Sequence, residues 1–268
     1  MTKQLKIPLS VFIITKNEED RLSKAINSVK GWVHEIIVID SGSTDNTIKI
    51  AKDLGAKVFH NDWNGYGAQK IFGEKKCSQQ WILNIDADEA ITADLRDEII
   101  NLFNQNKIND YIGYLIKISM TKISTDITPF FGPHHTFIRL YNKNKAGFSD
   151  SSVHDSVIVR EGKVGKCKCI MTHKSFRSYT HALQKVDSYS TAQAHDMFAK
   201  GRNPARIRIL FEPMTAFFKC YILKKSFILG FDGIILSYIY VIGRLMRLIK
   251  ARDLFFLKNS KKQTKSLT

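Results

Sequence analysis

Three carboxylates close an apolar run in "WILNIDADEA", where Asp86, Asp88 and Glu89 follow Trp81, Ile82, Leu83 and Ile85. Crowding acids at the end of a buried strand is unfavourable, because mutual repulsion and desolvation both oppose it. A divalent cation would remove the repulsion. Asp86 and Asp88, two positions apart, can both reach one Mg2+ or Mn2+ if the backbone turns after the strand. Such ions are commonly held by one or two carboxylates together with the phosphate oxygens of a substrate. The alternative is that "DADE" caps the following helix, "TADLRDEIINLF", where acids meet the positive end of the helix dipole. Two further polar clusters follow apolar runs of the same kind, "TKNEE" from Thr15 and "DSGSTD" from Asp40. Ligands of parallel α/β sheets bind beyond the carboxyl ends of the strands, so these clusters are aimed at one crevice. Neither G-x-G-x-x-G nor G-x-x-x-x-G-K-[ST] follows the first run, which argues against a dinucleotide oxidoreductase and a P-loop NTPase.

The elements that would position these residues alternate. "LSVFIIT" (9–15), "EIIVID" (35–40), "AKVFH" (56–60) and "WILNID" (81–86) have the continuous apolar, β-branched character of strands buried on both faces. Between them "EEDRLSKAINSV" predicts a helix capped by Asn17, and "DNTIKIAKDL" one capped by Ser43 or Thr44 and closed by Gly55. "GAQKIFGEKKC" predicts a third helical segment. This alternation implies right-handed crossovers and a mixed, mostly parallel sheet with helices on both faces, an α/β fold with its nucleotide-binding half at 8–105. "YIGYLIKISM" and "HHTFIRLYN" then alternate as antiparallel strands do, separated by the turn-rich "STDITPFFGP". The stretch 106–177 would complete a domain of residues 1–177, followed by a helical region at 178–257 and a disordered polar tail at 258–268.

Charge divides the chain in much the same place. Residues 1–155 carry 19 Lys+Arg and 19 Asp+Glu, leaving 22 and 6 for the remainder, so the whole net charge of +16 lies in the second part. That asymmetry fits nucleic acid or an anionic membrane surface. No recognised nucleic-acid motif is present, and a non-enzymatic nucleic-acid-binding protein would leave the acidic clusters unexplained, so the membrane is the expected partner and nucleic acid is not. The longest uncharged run in the C-terminal part, 233–243, has 11 residues, against about 20 needed to span a bilayer. With Tyr238 and Tyr240 inside it and Arg244, Arg247, Lys250 and Arg252 behind it, the segment suits an interfacial helix, or a core-packing helix with a solvated basic end. Four cysteines in 268 residues do not suggest a disulfide framework, and a reduced cytosolic setting is the simpler reading. The sequence sets no oligomeric state.

"FIITKNEEDRLSKAINSV", "EIIVIDSGSTDNTIKIAKDLGAKV" and "WILNIDADE", in that order, resemble the nucleotide-sugar half of glycosyltransferase family 2, the inverting enzymes of GT-A type. The resemblance implies a nucleotide-sugar donor. Asp40 would contact the base, Glu18 would lie near the ribose, and Thr15 would sit in the same site. Lys70 of "GAQK" would meet the base or phosphate. Asp86 would lie near ribose and metal, Asp88 would coordinate Mn2+ or Mg2+ on the diphosphate, and His173 of "MTHKSF" would complete the metal shell. "FIRLYNKNKAGFSDSSVHDSV" and "MTHKSFRSYTHALQKVDSYSTAQAHDMFAKGR" are more narrowly similar to bacterial enzymes that add glucose to heptose of the lipopolysaccharide inner core. There the segment usually reads "VHE", and its carboxylate is implied as general base. Here "VHD" offers Asp155, with His154 toward the acceptor and Asp150 as the local rival for the base. His134 and Arg139 in "PFFGPHHTFIRLYN" suit a sugar and an anionic acceptor. The expectation is therefore a metal-assisted transfer of glucose from UDP-glucose to a lipopolysaccharide core heptose or similar glycolipid. The enzyme would lie peripherally on the cytoplasmic face of the inner membrane. A family member acting on polyprenyl phosphate or another surface polysaccharide is the alternative.

Overall fold

A computed structural model of the chain describes residues 6–149 and 156–265. Strand β1 (Ile7–Thr15) explains why its sequence is apolar without alternation. Leu9, Val11 and Ile13 enter one apolar cluster, while Phe12 and Ile14 enter a second on the opposite face. A strand covered on both faces needs both parities apolar. Its neighbours β2 (Val33–Asp40) and β4 (Trp81–Asp86) run parallel to it, and β3 (Lys57–His60) runs parallel beyond β2. The crossovers carry α1 (Leu22–Val29), α2 (Thr47–Asp53) and α3 (Tyr66–Lys76). Helices α1 and α4 (Ala93–Asn104) cover the first cluster through Leu22, Ile26, Leu95 and Ile99, whereas Phe72 of α3 packs on the second. Gly73 marks the close approach of α3 to β1, since a Cβ there would stand 2.5 Å from Cδ2 of the fully buried Phe12.

The sheet continues with β5 (Glu89–Ile91), β6 (Gly113–Met120), β7 (His134–Asn142) and β10 (Val164–His173), in the order β3-β2-β1-β4-β7-β6-β10-β5. The hairpin β8 (Ala146–Phe148) and β9 (Val157–Val159) stands apart from it. Four of the seven pairings are parallel, which gives the expected mixed, mostly parallel sheet with helices on both faces. Strand β7, antiparallel to β4 and β6, joins the two parallel groups and carries residues into the neighbourhood of the acids that end β4.

Several local expectations change. Asn17 does not cap α1: its backbone is left-handed at φ 55° and its Oδ1 accepts from the Thr44 amide at 2.8 Å. Neither Ser43 nor Thr44 caps α2, because Ser43 Oγ donates to Asp40 and the Thr47 amide is met by Asp45. Thr92, not the "DADE" cluster, caps α4 by accepting from the Leu95 amide. Gly55 closes α2 with φ 87°, as expected.

The chain forms two compact units, one of residues 1–120 and 134–173, the other of 121–133 and 174–268. The first therefore ends at 173 rather than 177, and a stretch expected in the catalytic domain belongs with the C-terminal helices. Asp232 shows why: its carboxylate accepts from the amide and hydroxyl of Ser124, both at 2.9 Å, and from the Tyr179 hydroxyl at 2.6 Å. The helices of this unit are α5 (Tyr179–Ala199), α6 (Arg206–Phe218) and α7 (Phe231–Lys265). Helix α7 runs to Lys265, through most of the stretch expected to be a disordered tail. Among the described residues no helix is long and apolar enough to cross a membrane.

Candidate active site

Register alone brings two of the polar clusters side by side and sets the third beside them. Thr15 pairs with Asp40 across β1 and β2, and Ile14 with Asp86 across β1 and β4. The two loops that follow β1 and β2 lock together: the Asn17 amide donates to Ser43 Oγ at 2.9 Å, and the Glu18 amide to Thr47 Oγ1 at 2.8 Å. Asp40, 1% exposed, accepts from the amides of Gly42 and Ser43, each at 2.9 Å. Gly42 adopts φ 89°, a conformation that disfavours any side chain. Glu18 is gripped by both arms of Arg21, at 2.6 and 2.7 Å. Arg21, which sequence reasoning overlooked, is itself buried and reaches Asp88 Oδ2 at 3.4 Å. Its signal was the spacing of Glu18 and Arg21 in "EEDR", one helical turn apart.

The acids after β4 are compensated by cations from distant elements. Lys70 of α3, 2% exposed, places Nζ 3.1 Å from Asp86 Oδ1. Arg139 of β7 places one nitrogen 2.9 Å from Asp86 Oδ2 and 2.7 Å from Glu89 Oε1, and the other 2.6 Å from Asn84 Oδ1. Burial opposes the charge on Asp86, but Arg139 and Lys70 outweigh it and hold this carboxyl well below the usual range. For Glu89 burial wins over Arg139, and its carboxyl is raised. Glu89 is thus the buried partner of Arg139 and of the Asp86 amide, which it meets at 2.9 Å, not a helix cap. Arg139, expected to face an anionic acceptor, spends its guanidinium on these two acids.

Asp88 turns the other way. Its Oδ2 lies 3.3 Å from His173 Nε2, brought there from the end of β10. Burial works against both charges, yet the contact lowers the Asp88 carboxyl and raises the His173 imidazole. The expected set Asp86, Asp88 and His173 is therefore not assembled as one cluster, and among the described residues no group of three or more His, Cys, Asp or Glu is arranged to hold a cation. The pair Asp88 and His173 fits one in part: the carboxylate suits Mn2+ or Mg2+, the imidazole nitrogen is a donor for a transition ion and so favours Mn2+ of the two, and phosphate oxygens and water would fill the remaining positions.

Lys70, Asp86, Arg139, His173, His135 and Phe137 line one pocket. His135 stacks on Phe137 with ring centroids 6.0 Å apart and 25° between planes. The neighbouring His134, singled out from the sequence, is exposed at the start of β7 and is not part of that lining. His154 and Asp155, with the rival Asp150, lie outside the described residues, although Ser156 and Val157, which follow Asp155, line the pocket.

The model of the family described as glycosyl transferase family 2 matches residues 10–158. An uncharacterized glycosyltransferase of Rickettsia typhi is 40% identical over 254 residues, 92% of this chain and 87% of that protein. The lipopolysaccharide core biosynthesis glycosyltransferase LpsC of Rhizobium meliloti is 31% identical over 236 residues, 86% of each. Among solved structures, glucosyl-3-phosphoglycerate synthase from Mycobacterium tuberculosis is 27% identical, over 42% of this chain and 44% of that one, with a TM-score of 0.35.

Proposed function

Because the chain belongs to glycosyl transferase family 2, we propose that the crevice at the ends of β1, β2 and β4 binds a nucleoside diphosphate hexose and delivers the hexose, with inversion, to a glycolipid hydroxyl. The observation that carries this reading is that Asp40, Asp86 and Asp88 all stand at the carboxyl ends of neighbouring parallel strands, with Asp88 beside His173. Asp40, held rigidly by its loop, serves the base. Glu18 and Thr15 serve the ribose side; Thr15 Oγ1 is buried with no hydrogen-bond partner among the described residues, and a bound nucleotide would satisfy it. Lys70, in the pocket with Asp86, answers the diphosphate charge.

Asp88 and His173 would hold Mn2+ or Mg2+, which supplies positive charge to the departing diphosphate. The acceptor oxygen attacks the anomeric carbon from the face opposite the diphosphate. As the new C–O bond forms, the old one breaks with its electron pair going to the nucleotide, and the acceptor proton passes to a base. That base is assigned to Asp155 from its sequence setting, with His154 beside it; Ser156 and Val157 in the pocket lining agree with it. His135 and Phe137, which line the pocket, meet the acceptor.

Glucose from UDP-glucose and a lipopolysaccharide core heptose are the proposed donor and acceptor; the likeness to LpsC along most of both chains supports a role in building the lipopolysaccharide core, and the sugar and the heptose rest on the sequence resemblance. The proposed place is a peripheral one, on the cytoplasmic face of the inner membrane; contact with a lipid surface is supported by the apolar side chains that α6 exposes, Leu210 at 71%, Met214 at 58% and Phe218 at 58%, four residues apart on one stripe, and the membrane and face rest on the sequence resemblance. The test is UDP release with Mn2+ over a panel of acceptors. Excess chelator and Asp88→Ala should each abolish turnover, and full activity in either refutes the cation. Asp155→Asn should slow transfer about 100-fold or more; undiminished turnover refutes the base. Turnover of polyprenyl phosphate but not of a heptose acceptor would overturn the proposed acceptor.

A further inference from the structure

The C-terminal unit holds a second cluster of charge, and it is out of balance. Glu212 of α6, 5% exposed, is the only carboxylate that Arg244, Arg247 and Arg208 approach within ion-pair distance among the described residues. Arg244 donates to it directly, while Arg208 stands 3.6 Å and Arg247 3.8 Å away. One negative charge thus faces three guanidinium groups, two of which also line a pocket. Arg208 and Arg247 share that lining with Arg202, Gln193, Asn203 and Asp196. Asp196 does not correct the imbalance, because Lys200 already holds it at 2.7 Å. The remaining polar groups of the lining are three guanidiniums and two carboxamides, a set rich in donors. Arg247 Nε is buried with no hydrogen-bond partner among the described residues. Burial and the nearby Arg244 and Arg208 depress the Arg247 guanidinium despite Glu212, as expected where positive charge is under-compensated.

A carboxylate could cancel one of these charges. A phosphate cancels up to two and accepts several hydrogen bonds at once, which is the geometry that planar guanidinium forks match. Helix α6 also presents the exposed apolar stripe of Leu210, Met214 and Phe218, so Arg208 sits in sequence beside residues suited to a lipid surface. We propose that the pocket of Arg202, Arg208 and Arg247 is a phosphate-binding site of the C-terminal unit, separate from the nucleotide-sugar crevice, and that it takes the phosphate of an anionic lipid headgroup or a free phosphate.

The experiment uses the full chain and two double variants that remove equal charge. Arg202→Gln with Arg208→Gln empties the pocket rim, where both side chains are exposed, and leaves Glu212 its direct bond from Arg244. Lys219→Gln with Lys224→Gln removes two cations that do not line the pocket. Flotation is measured with phosphatidylcholine vesicles with and without phosphatidylglycerol, and inorganic phosphate binding by calorimetry. UDP binding serves as the control for folding and for the other site. The arginine variant should lose about tenfold or more in affinity for anionic vesicles, in inorganic phosphate binding, or in both, with UDP binding unchanged; the lysine variant should lose less. A loss confined to vesicles assigns the pocket to a headgroup, and a loss confined to inorganic phosphate assigns it to a soluble anion. Equal losses in the two variants, or no loss in either, overturn the proposal.

Discussion

Arg139 holds two acids with one guanidinium, so its removal should cost more than any surface ion pair. Arg139→Gln leaves Asp86 and Glu89 without their shared cation and should destabilise the protein by about 3–5 kcal/mol, read as a lowered urea midpoint. Arg139→Lys keeps the charge but not the fork and should recover only part of the loss; a wild-type midpoint in Arg139→Gln would refute the arrangement. Glu35 offers a pH test away from the site. Burial alone would raise its carboxyl, but hydrogen bonds from Lys57, Ser78 and Ser10 outweigh it and hold it at about 2. Since the folded value lies below the ordinary 4.5, this contribution is complete above that value and is lost as pH falls toward the folded one. Glu35→Gln should therefore flatten the fall in stability between pH 4.5 and 2 and cost about 1–3 kcal/mol at neutral pH; an unchanged acid limb would refute it. At this scale the acids of the site were legible, because three carboxylates after a strand have few explanations. Lys70, Arg139 and His173 were singled out too, but for donor, acceptor and metal; that they pair with Asp86, Glu89 and Asp88 was not legible, because they come from three other elements and only the folded sheet brings them to these acids.

Elements read well where burial on both faces forced a continuous apolar run, as in β1, β2 and β4. Caps read poorly, because Asn17 and Ser43 have the right chemistry to cap a helix but are recruited across two loops instead. A local pattern cannot distinguish these uses. The close packing of α3 on β1 gives a prediction in which two effects compete. Gly73→Ala gains about 1 kcal/mol of helix propensity, but its methyl would stand 2.5 Å from the ring of Phe12, which is fully buried and has no room to retreat. Overpacking costs about 1–3 kcal/mol, so the variant should be less stable on balance; a raised melting temperature would show that the helix can shift. Thr92→Ala should cost about 1 kcal/mol through the loss of the α4 cap, with Thr92→Ser restoring most of it.

For the whole molecule, the charge asymmetry marked correctly that the C-terminal part differs from the rest, but no composition could show that residues 121–133 belong with it. The exposed stripe on α6 predicts that Leu210→Glu with Phe218→Glu weakens flotation on anionic vesicles at least tenfold, since two apolar side chains are lost and two repelled charges gained. Unchanged flotation would remove α6 from the membrane contact. The tie between Ser124 and Asp232 has a further consequence for how the molecule matures. Ribosomal synthesis is vectorial, and domains generally fold as they emerge. Every strand of the sheet has been made once His173 has appeared, whereas the carboxylate that clasps Ser124 is added 59 residues later, with Asp232. A nascent chain stalled in that interval should carry a finished sheet with an unfastened loop in its middle. Protease sensitivity at 121–133 would then report whether synthesis has passed Asp232.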